Sequence, residues 1–394
     1  MIHRILLTTL AVCGVTVGAF GRTFSETVDS IVSGNPELKA MMAEADASES
    51  DLKAENILAD PEIEGSRLWR AGEGDNRWGV EVSQGFDWFG TYEARKDLVA
   101  KTKESNFLKL TAKERELKTA VGKALVELIC ADKEIALLSE IGERTDQLAA
   151  HYEKAWKAGE TTILDLNKIK IEQARQKAQT RDAQSRRDAV MESIRTLSGN
   201  ASMSMPADLD FPMMPLAALE TYRGAVGGNS DLLALEGEVA AAESEGRLAK
   251  MSKYPGFSVG YSHDFEDGSH FNGLTLGMSL PVWSRRHKTA AASAKKLAAE
   301  YNVEQRRAEL EASIDRLWHE AQSAEEMMGE LGPLVEGVNN LELLKKALDG
   351  GEMNLLNYLQ EVNYFLQARI DFLQLEKSYR LSVMELDAIA GVSR

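Results

Sequence analysis

The chain is written twice. The stretch NPELKAMMAEADASESDLKAENILADPEIEG, beginning at Asn35, recurs in register as NSDLLALEGEVAAAESEGRLAKMSKYPGFSV, beginning at Asn229, 194 residues later. Asn35 falls on Asn229, Leu38 on Leu232 and Pro61 on Pro255. GVEVSQGFDWFG from Gly79 falls on GLTLGMSLPVWS from Gly273 at the same offset. GETTILDLNK from Gly159 and GEMNLLNYLQ from Gly351 lie 192 residues apart, as do TLSG from Thr196 and AIAG from Ala388. Helical composition alone produces weak self-similarity, but it does not bring prolines, glycines and strand-like runs into one register. Each half must therefore build the same supersecondary unit.

Each unit has one plan. A cap-like Asn opens a helix, and Pro36 takes the first helical position of the first copy. Pro61 or Pro255 ends it. Two strand-like runs follow, then a very long helix, a Gly-Glu break, and a second long helix. The spacing predicts a first repeat over 22–199, with a hairpin over 62–86 and long helices over 91–157 and 161–198. The second repeat spans 216–394, with a hairpin over 256–282 and long helices over 285–349 and 353–390. Residues 200–215 join the two and have no clean period.

In the first long helix Leu117, Val121, Ala124, Leu128, Ala131, Ile135 and Leu138 step by four and three alternately. Leu310, Ile314, Leu317, Ala321, Ala324, Met328 and Leu331 do the same in the second copy. A heptad of this kind supercoils against a partner helix. The first rod is expected to be about 95 Å long at ~1.5 Å per residue. Gly332-Pro333 should kink the second, although its heptad runs on through Val335 and Val338.

The net charge of −16 argues against a nucleic-acid partner, which needs a basic face. Residues 1–21 read as a secretory signal, with Arg4, an apolar run and small residues before a cut after Ala19 or Gly21. The alternative is a lipoprotein signal using Cys13, for which Val12 is a poor preceding residue. Removal of the signal leaves Cys130 alone, so no intrachain disulfide forms. No later apolar run has the ~20 residues of a membrane helix.

The strand-like runs over 62–70, 78–86, 256–264 and 272–282 have the length of tilted membrane-spanning strands. Leu274, Leu276, Met278 and Leu280 alternate with Thr275, Gly277 and Ser279; Val80, Val82 and Phe86 alternate with Glu81, Ser83 and Gly85. Barrel walls alternate in this way, and so do half-buried soluble sheets. Phe86, Trp88 and Phe89 close one hairpin, Val282 and Trp283 the other. Aromatic residues there suit a membrane interface. Arg95 and Lys96 follow the first set, and Arg285, Arg286, His287 and Lys288 the second, placed either for lipid phosphates or as solvated helix starts. Four strands cannot enclose a bilayer-spanning barrel, because lipid tolerates no open edge. Strands in a membrane therefore require several copies to share one barrel, and three copies give twelve strands.

Twin copies of helix, hairpin, long helix, break and long helix behind a signal resemble the TolC-like outer-membrane efflux proteins over essentially the whole mature chain. The resemblance is carried by NPELKAMMAEADASESDLKAE, SQGFDWFGTYEAR, SLPVWSRRHKTAAASA and the two Gly-Glu breaks. The first and third of these look most like the CzcC-type heavy-metal efflux branch. The resemblance implies a mostly α tandem-repeat fold with a small β part, assembled as a homotrimer. It implies a 12-stranded barrel in outer-membrane lipid, continued by a periplasmic α-helical tube. It implies a periplasmic adaptor protein and an inner-membrane pump of RND type as partners. The adaptor-docking turns map onto Gly159, Glu160, Thr162, Leu164 and Asp165, and onto Gly351, Glu352, Asn354, Leu356 and Asn357. Family members close the tip with acidic residues just after the second turn; Asn357 and Gln360 stand there instead, which removes that acidic trap. Asp165 is the nearest acid, available either for a pore ring or for pairing with Lys168.

No catalytic, nucleotide or cofactor signature is present. The six histidines lack metal-ligand spacing. His263 and His270, with Asp264, Glu266 and Asp267 between them, read as a polar loop rather than a metal site. Met203, Met205, Met213 and Met214 read as core filling rather than copper ligands. The alternative to a transport duct is a periplasmic coiled-coil scaffold whose hairpins form a soluble sheet.

Overall fold

The computed structural model describes residues 23–69, 77–206, 209–266, 268–281, 285–336 and 340–392. The signal segment, the first hairpin tip (71–76), Val282, Trp283 and Val338 lie outside the described residues.

The elements run α1 (Phe24–Gly34), α2 (Pro36–Glu55), β1 (Glu62–Leu68), β2 (Arg77–Phe86), α3 (Phe89–Lys157) and α4 (Ile163–Ser198). The second copy runs α5 (Leu219–Ala225), a 3₁₀ turn (Val226–Gly228), α6 (Ser230–Met251), β3 (Gly256–Glu266), β4 (Ser269–Ser279), α7 (Arg285–Glu336), α8 (Asn340–Asp349) and α9 (Leu355–Ala390). The 69 residues of α3 extend for about 100 Å at ~1.5 Å per residue. Pro333 lies inside α7, which ends at Glu336, and α8 carries the rod onward from Asn340.

The repeat reaches further toward the N-terminus than Asn35. α1 and α5 with its 3₁₀ turn occupy equivalent places, FSETVDSIVSG against ALETYRGAVGG. Each packs beside the end of its own copy's last long helix: Ile31 and Val32 join Leu117, Val121, Leu125 and Ile194, while Tyr222 and Val226 join Leu310, Ile314, Leu317 and Leu386. Around 121–130 nearly every face of α3 is covered, including Val126, Ile129 and Cys130 off the heptad seam. A helix enclosed in this way must be apolar all round.

The two cap asparagines do more than the sequence suggests. Asn35 Oδ1 accepts from Leu38 N, capping α2, while its Nδ2 donates to Leu197 O at 2.8 Å. Asn229 repeats both contacts, capping α6 through Leu232 N and donating to Ile389 O at 3.1 Å. Each asparagine therefore ties the start of one helix to the end of another in the same copy. Both are buried.

The joining segment is a strap. The Phe211 ring lies under two cations, with Lys133 Nζ at 4.2 Å and Arg380 Cζ at 4.4 Å from its centroid. Arg380 donates to Pro212 O, Tyr379 Oη to Met214 O, and Trp318 Nε1 to Ala217 O. Met214 is buried and Met203 and Met205 pack against the core, as the core-filling expectation has it. Met213 departs from that expectation, being 92% exposed.

Candidate functional site

The four strands form one antiparallel sheet in the order β1-β2-β3-β4. The central pairing of β2 with β3 joins the two copies, so the duplicated hairpins make one wall. β4 begins at Ser269 and ends at Ser279, three residues earlier at each end than the expected 272–282. Pro281, which has no amide hydrogen to give a ladder, explains the early stop. The early start goes with Gly268, whose φ of +75° turns the chain just before β4; Asp267 lies outside the described residues. Asp264 and His270, expected in a loop, are strand residues.

Register and alternation sort the sheet into two faces. On one face lie Trp78, Val80, Val82 and Phe86 of β2, opposite Phe265, His263, Tyr261 and Phe257 of β3. Leu274, Leu276 and Met278 of β4 continue it, and Leu274 and Leu276 are 82% and 83% exposed. The other face carries Gly79, Glu81, Ser83 and Gly85, then Ser258, Gly260 and Ser262, then Gly273, Thr275, Gly277 and Ser279. This second face is closely filled. A Cβ on Gly260 would fall 2.8 Å from Glu81 Oε1 and 3.0 Å from Ser83 Cβ, and Thr275 Oγ1 donates to Glu81. A large apolar face open to the surroundings, backed by a small polar one, is the arrangement of a barrel wall.

Aromatic rings mark both ends of the apolar face. At the helical end Trp88 stacks on Tyr254 with ring centroids 5.0 Å apart, Phe86 is exposed, and Phe89 is 88% exposed. Arg286 is exposed, whereas Arg95 pairs with Asp87 at 2.7 Å. Trp283 lies outside the described residues, and Arg285 opens α7. At the far end Trp78 stacks on Phe265 at 5.8 Å. Trp78 and Phe86 are eight residues apart on one strand, about 26 Å at ~3.3 Å per residue. That is close to the ~25 Å height of a membrane barrel's apolar band. Tyr254 and the far-end aromatic pair escaped the sequence reading, because their partnership depends on the β2–β3 register.

The two Gly-Glu breaks are turns of one construction at the opposite end of the rods. Gly159 has φ +79° and Gly351 φ +72°. Glu160 N donates to Ala155 O, and Glu352 N to Ala347 O, both at 2.9 Å. Thr162 then caps α4 through Asp165 N, and Asn354 caps α9 through Asn357 N. Leu164 and Leu356, the second residue of each new helix, stand exposed, while Leu166 and Leu355 are buried in the core beneath. Asp165 accepts from Thr162 Oγ1 at 2.7 Å and from Lys168 Nζ at 3.1 Å. These bonds, Thr162 first, hold its carboxyl below the usual aspartate range. Of the two roles open to Asp165, the structure displays the pairing with Lys168. Asn357 and Gln360 are exposed. No described helix is long and apolar enough to cross a membrane.

No family model matches the sequence, and no curated protein matches it. Solved structures do match. The chain superposes on the open-state outer-membrane channel MtrE of Neisseria gonorrhoeae with a TM-score of 0.74 at 15% identity, covering 94% of this chain and 89% of that one. For the outer-membrane channel CmeC of Campylobacter jejuni the TM-score is 0.73 at 17% identity, covering 93% and 85%. For CusC, described by conformational changes accompanying folding and transmembrane channel formation, it is 0.74 at 14% identity, covering 96% of each chain. The chain thus has the TolC-like fold of these outer-membrane channels, mostly α with a four-stranded antiparallel sheet.

Proposed function

We propose that this chain is the outer-membrane duct of a tripartite efflux system, working as a homotrimer. The observation that carries the reading is the two-faced sheet with both edges open. Among the described residues β1 and β4 each have one unpaired side, and nothing covers the apolar face. Closure of β4 of one copy on β1 of the next satisfies every edge and turns the apolar face to lipid. A second feature points the same way: the 20-residue α2 packs on α3 along one side, with Leu38 against the core, yet none of its side chains is fully buried. Helices draw most of their stability from packing, so a neighbouring copy is the natural cover for α2. Residues 1–21 serve this reading as the export signal.

The paired tips are the adaptor-docking turns, presenting Gly159, Glu160, Thr162 and Leu164 beside Gly351, Glu352, Asn354, Leu356 and Asn357. An inner-membrane pump of RND type supplies the energy, since a passive duct needs no nucleotide. With Asp165 engaged by Lys168 and neutral Asn357 and Gln360 after the second turn, the tip closes by packing and hydrogen bonding rather than by an acidic ring. Heavy-metal cations or small toxic compounds are the proposed cargo, supported by the resemblance of the 35–55 and 279–294 stretches to the CzcC-type branch.

The decisive experiment substitutes Leu164→Glu together with Leu356→Glu. Export, read as resistance of the host to divalent metals, detergents and antibiotics, is expected to fall to the level of the deletion strain. The trimer is expected to remain in the outer-membrane fraction. Full resistance in the double variant contradicts tip docking. Recovery of the wild-type chain in the soluble periplasm contradicts the duct itself.

A further inference from the structure

The hairpin tip between β3 and β4 holds two histidines that the sequence reading assigned to a polar loop. His263 is in β3 and His270 in β4, diagonal to one another across the ladder, since His263 faces Asn272 and Phe265 faces His270. His263 Nε2 and His270 Nδ1 are 3.3 Å apart. The neighbouring acids do not share their face. Asp264 points through the sheet, where it meets the position of Gly79 and pairs with Arg77 at 3.0 Å. Glu266 alternates to that side as well. The notion of Asp264 and Glu266 as co-ligands therefore fails, but the two imidazoles come together without them.

Their geometry is that of two adjacent metal ligands. Two metal–nitrogen bonds of ~2.0–2.1 Å at a tetrahedral angle place the nitrogens about 3.3–3.4 Å apart. The outer partner of one ring is also in place. His263 Nδ1 lies 2.8 Å from Asn272 Oδ1, which also accepts from Tyr261 Oη at 2.8 Å. An amide oxygen only accepts, so His263 Nδ1 carries the proton and Nε2 keeps its lone pair toward His270. Fixing a ligating histidine through its other nitrogen is the usual support of a metal site. Trp78 and Phe265 pack around the pair: Trp78 and His263 lie 6.2 Å apart, and Phe265 and His270 5.1 Å apart.

We infer that His263 and His270 form a two-histidine site for a borderline divalent transition-metal ion, Zn²⁺ or Cu²⁺, that staples β3 to β4 at the hairpin tip. Imidazole suits these ions and not Mg²⁺ or Ca²⁺, which prefer oxygen. No group of three or more His, Cys, Asp or Glu among the described residues could hold a metal ion, so water fills the remaining positions. On binding, His270 gives up its Nδ1 proton to water and takes one at Nε2, staying a neutral imidazole, and the freed His270 Nδ1 and the His263 Nε2 turn their lone pairs onto the metal. The site rests on the hairpin alone, and its test does not depend on transport.

The test uses the full mature chain in detergent. Calorimetric titration with ZnCl₂ is expected to give one site per chain. Titration with CuCl₂ is expected to quench Trp78 fluorescence, since Cu²⁺ is a quencher and sits beside that ring. His263→Ala and His270→Ala should each weaken both responses at least tenfold; His319→Ala should change neither. Trp78→Phe should remove the quenching component and keep the calorimetric site. Equal zinc binding by the wild type and the His263→Ala/His270→Ala double variant overturns the inference. So does a wild type that binds neither ion. His270 is exposed and His263 half-buried near the hairpin tip, so the alanine variants are expected to retain the fold, which circular dichroism checks.

Discussion

Asn35 and Asn229 show how much a single side chain can organise. Each caps one helix and holds the last turn of another, and the second contact spans 162 residues for Asn35 and 160 for Asn229. Substitution of either by alanine removes a cap worth about 1–2 kcal/mol and leaves a carbonyl with one partner fewer. Asn35→Ala and Asn229→Ala are each expected to lower the thermal midpoint by several degrees, measured by circular dichroism. The cap was legible as an Asn before Pro36; the clamp was not, because nothing local encodes which distant carbonyl it meets. The histidine pair has the same history. Spacing along the chain favoured a polar loop over a metal site, since the approach of the two rings arises only from the β3–β4 register. Cys130 is the reverse case, readable as a lone thiol and found buried, its pKa pushed up to about 11 by desolvation. Maleimide labelling at neutral pH is expected to fail in the folded chain and to proceed in denaturant.

At the scale of elements, heptads, tips and strands could be read because their signals are local and periodic. Leu117, Val121, Ala124, Leu128 and Leu138 are buried as the four-three spacing requires, and so are Leu310, Ile314, Leu317, Ala321 and Ala324. Both breaks are turns with a left-handed glycine, at Gly159 and Gly351. The strap over 200–215 was opaque, because its order comes from Lys133, Arg380, Tyr379 and Trp318 on other elements. A pH effect belongs to the first tip. Asp165 titrates below its unfolded value, so it contributes stability above about pH 4, the ordinary aspartate range, and that contribution is lost as pH falls through the depressed value. Hydrogen exchange of the α4 amino end is expected to quicken on acidification, and Thr162→Ala should move the onset to higher pH. The glycine-filled sheet face makes its own prediction. Gly260→Val forces bulk against Glu81, Thr275 and Ser83, and outer-membrane assembly of the variant, followed by fractionation, should fail.

The whole molecule is a duplicated unit whose copies meet in the β2–β3 ladder, along α3 where it packs on α6 and α9, and in the core at the tip end, where Leu137 and Ile169 share a cluster with Leu355 and Phe365. The duplication was the most legible property of the sequence, and the missing part of it is instructive. α1 and α5 share few residues, so their equivalence emerges only from equivalent packing. Assembly is the central claim at this scale. The bare apolar face, the outer strands unpaired among the described residues and the half-covered α2 are the features the proposed neighbour would satisfy. Cryo-electron microscopy of the mature chain in lipid nanodiscs tests this most directly. The account predicts a threefold particle with twelve strands, β4 of each copy hydrogen-bonded to β1 of the next and the α2 helices covered at the subunit boundaries. A monodisperse, detergent-free monomer with its four-stranded sheet in water would contradict it.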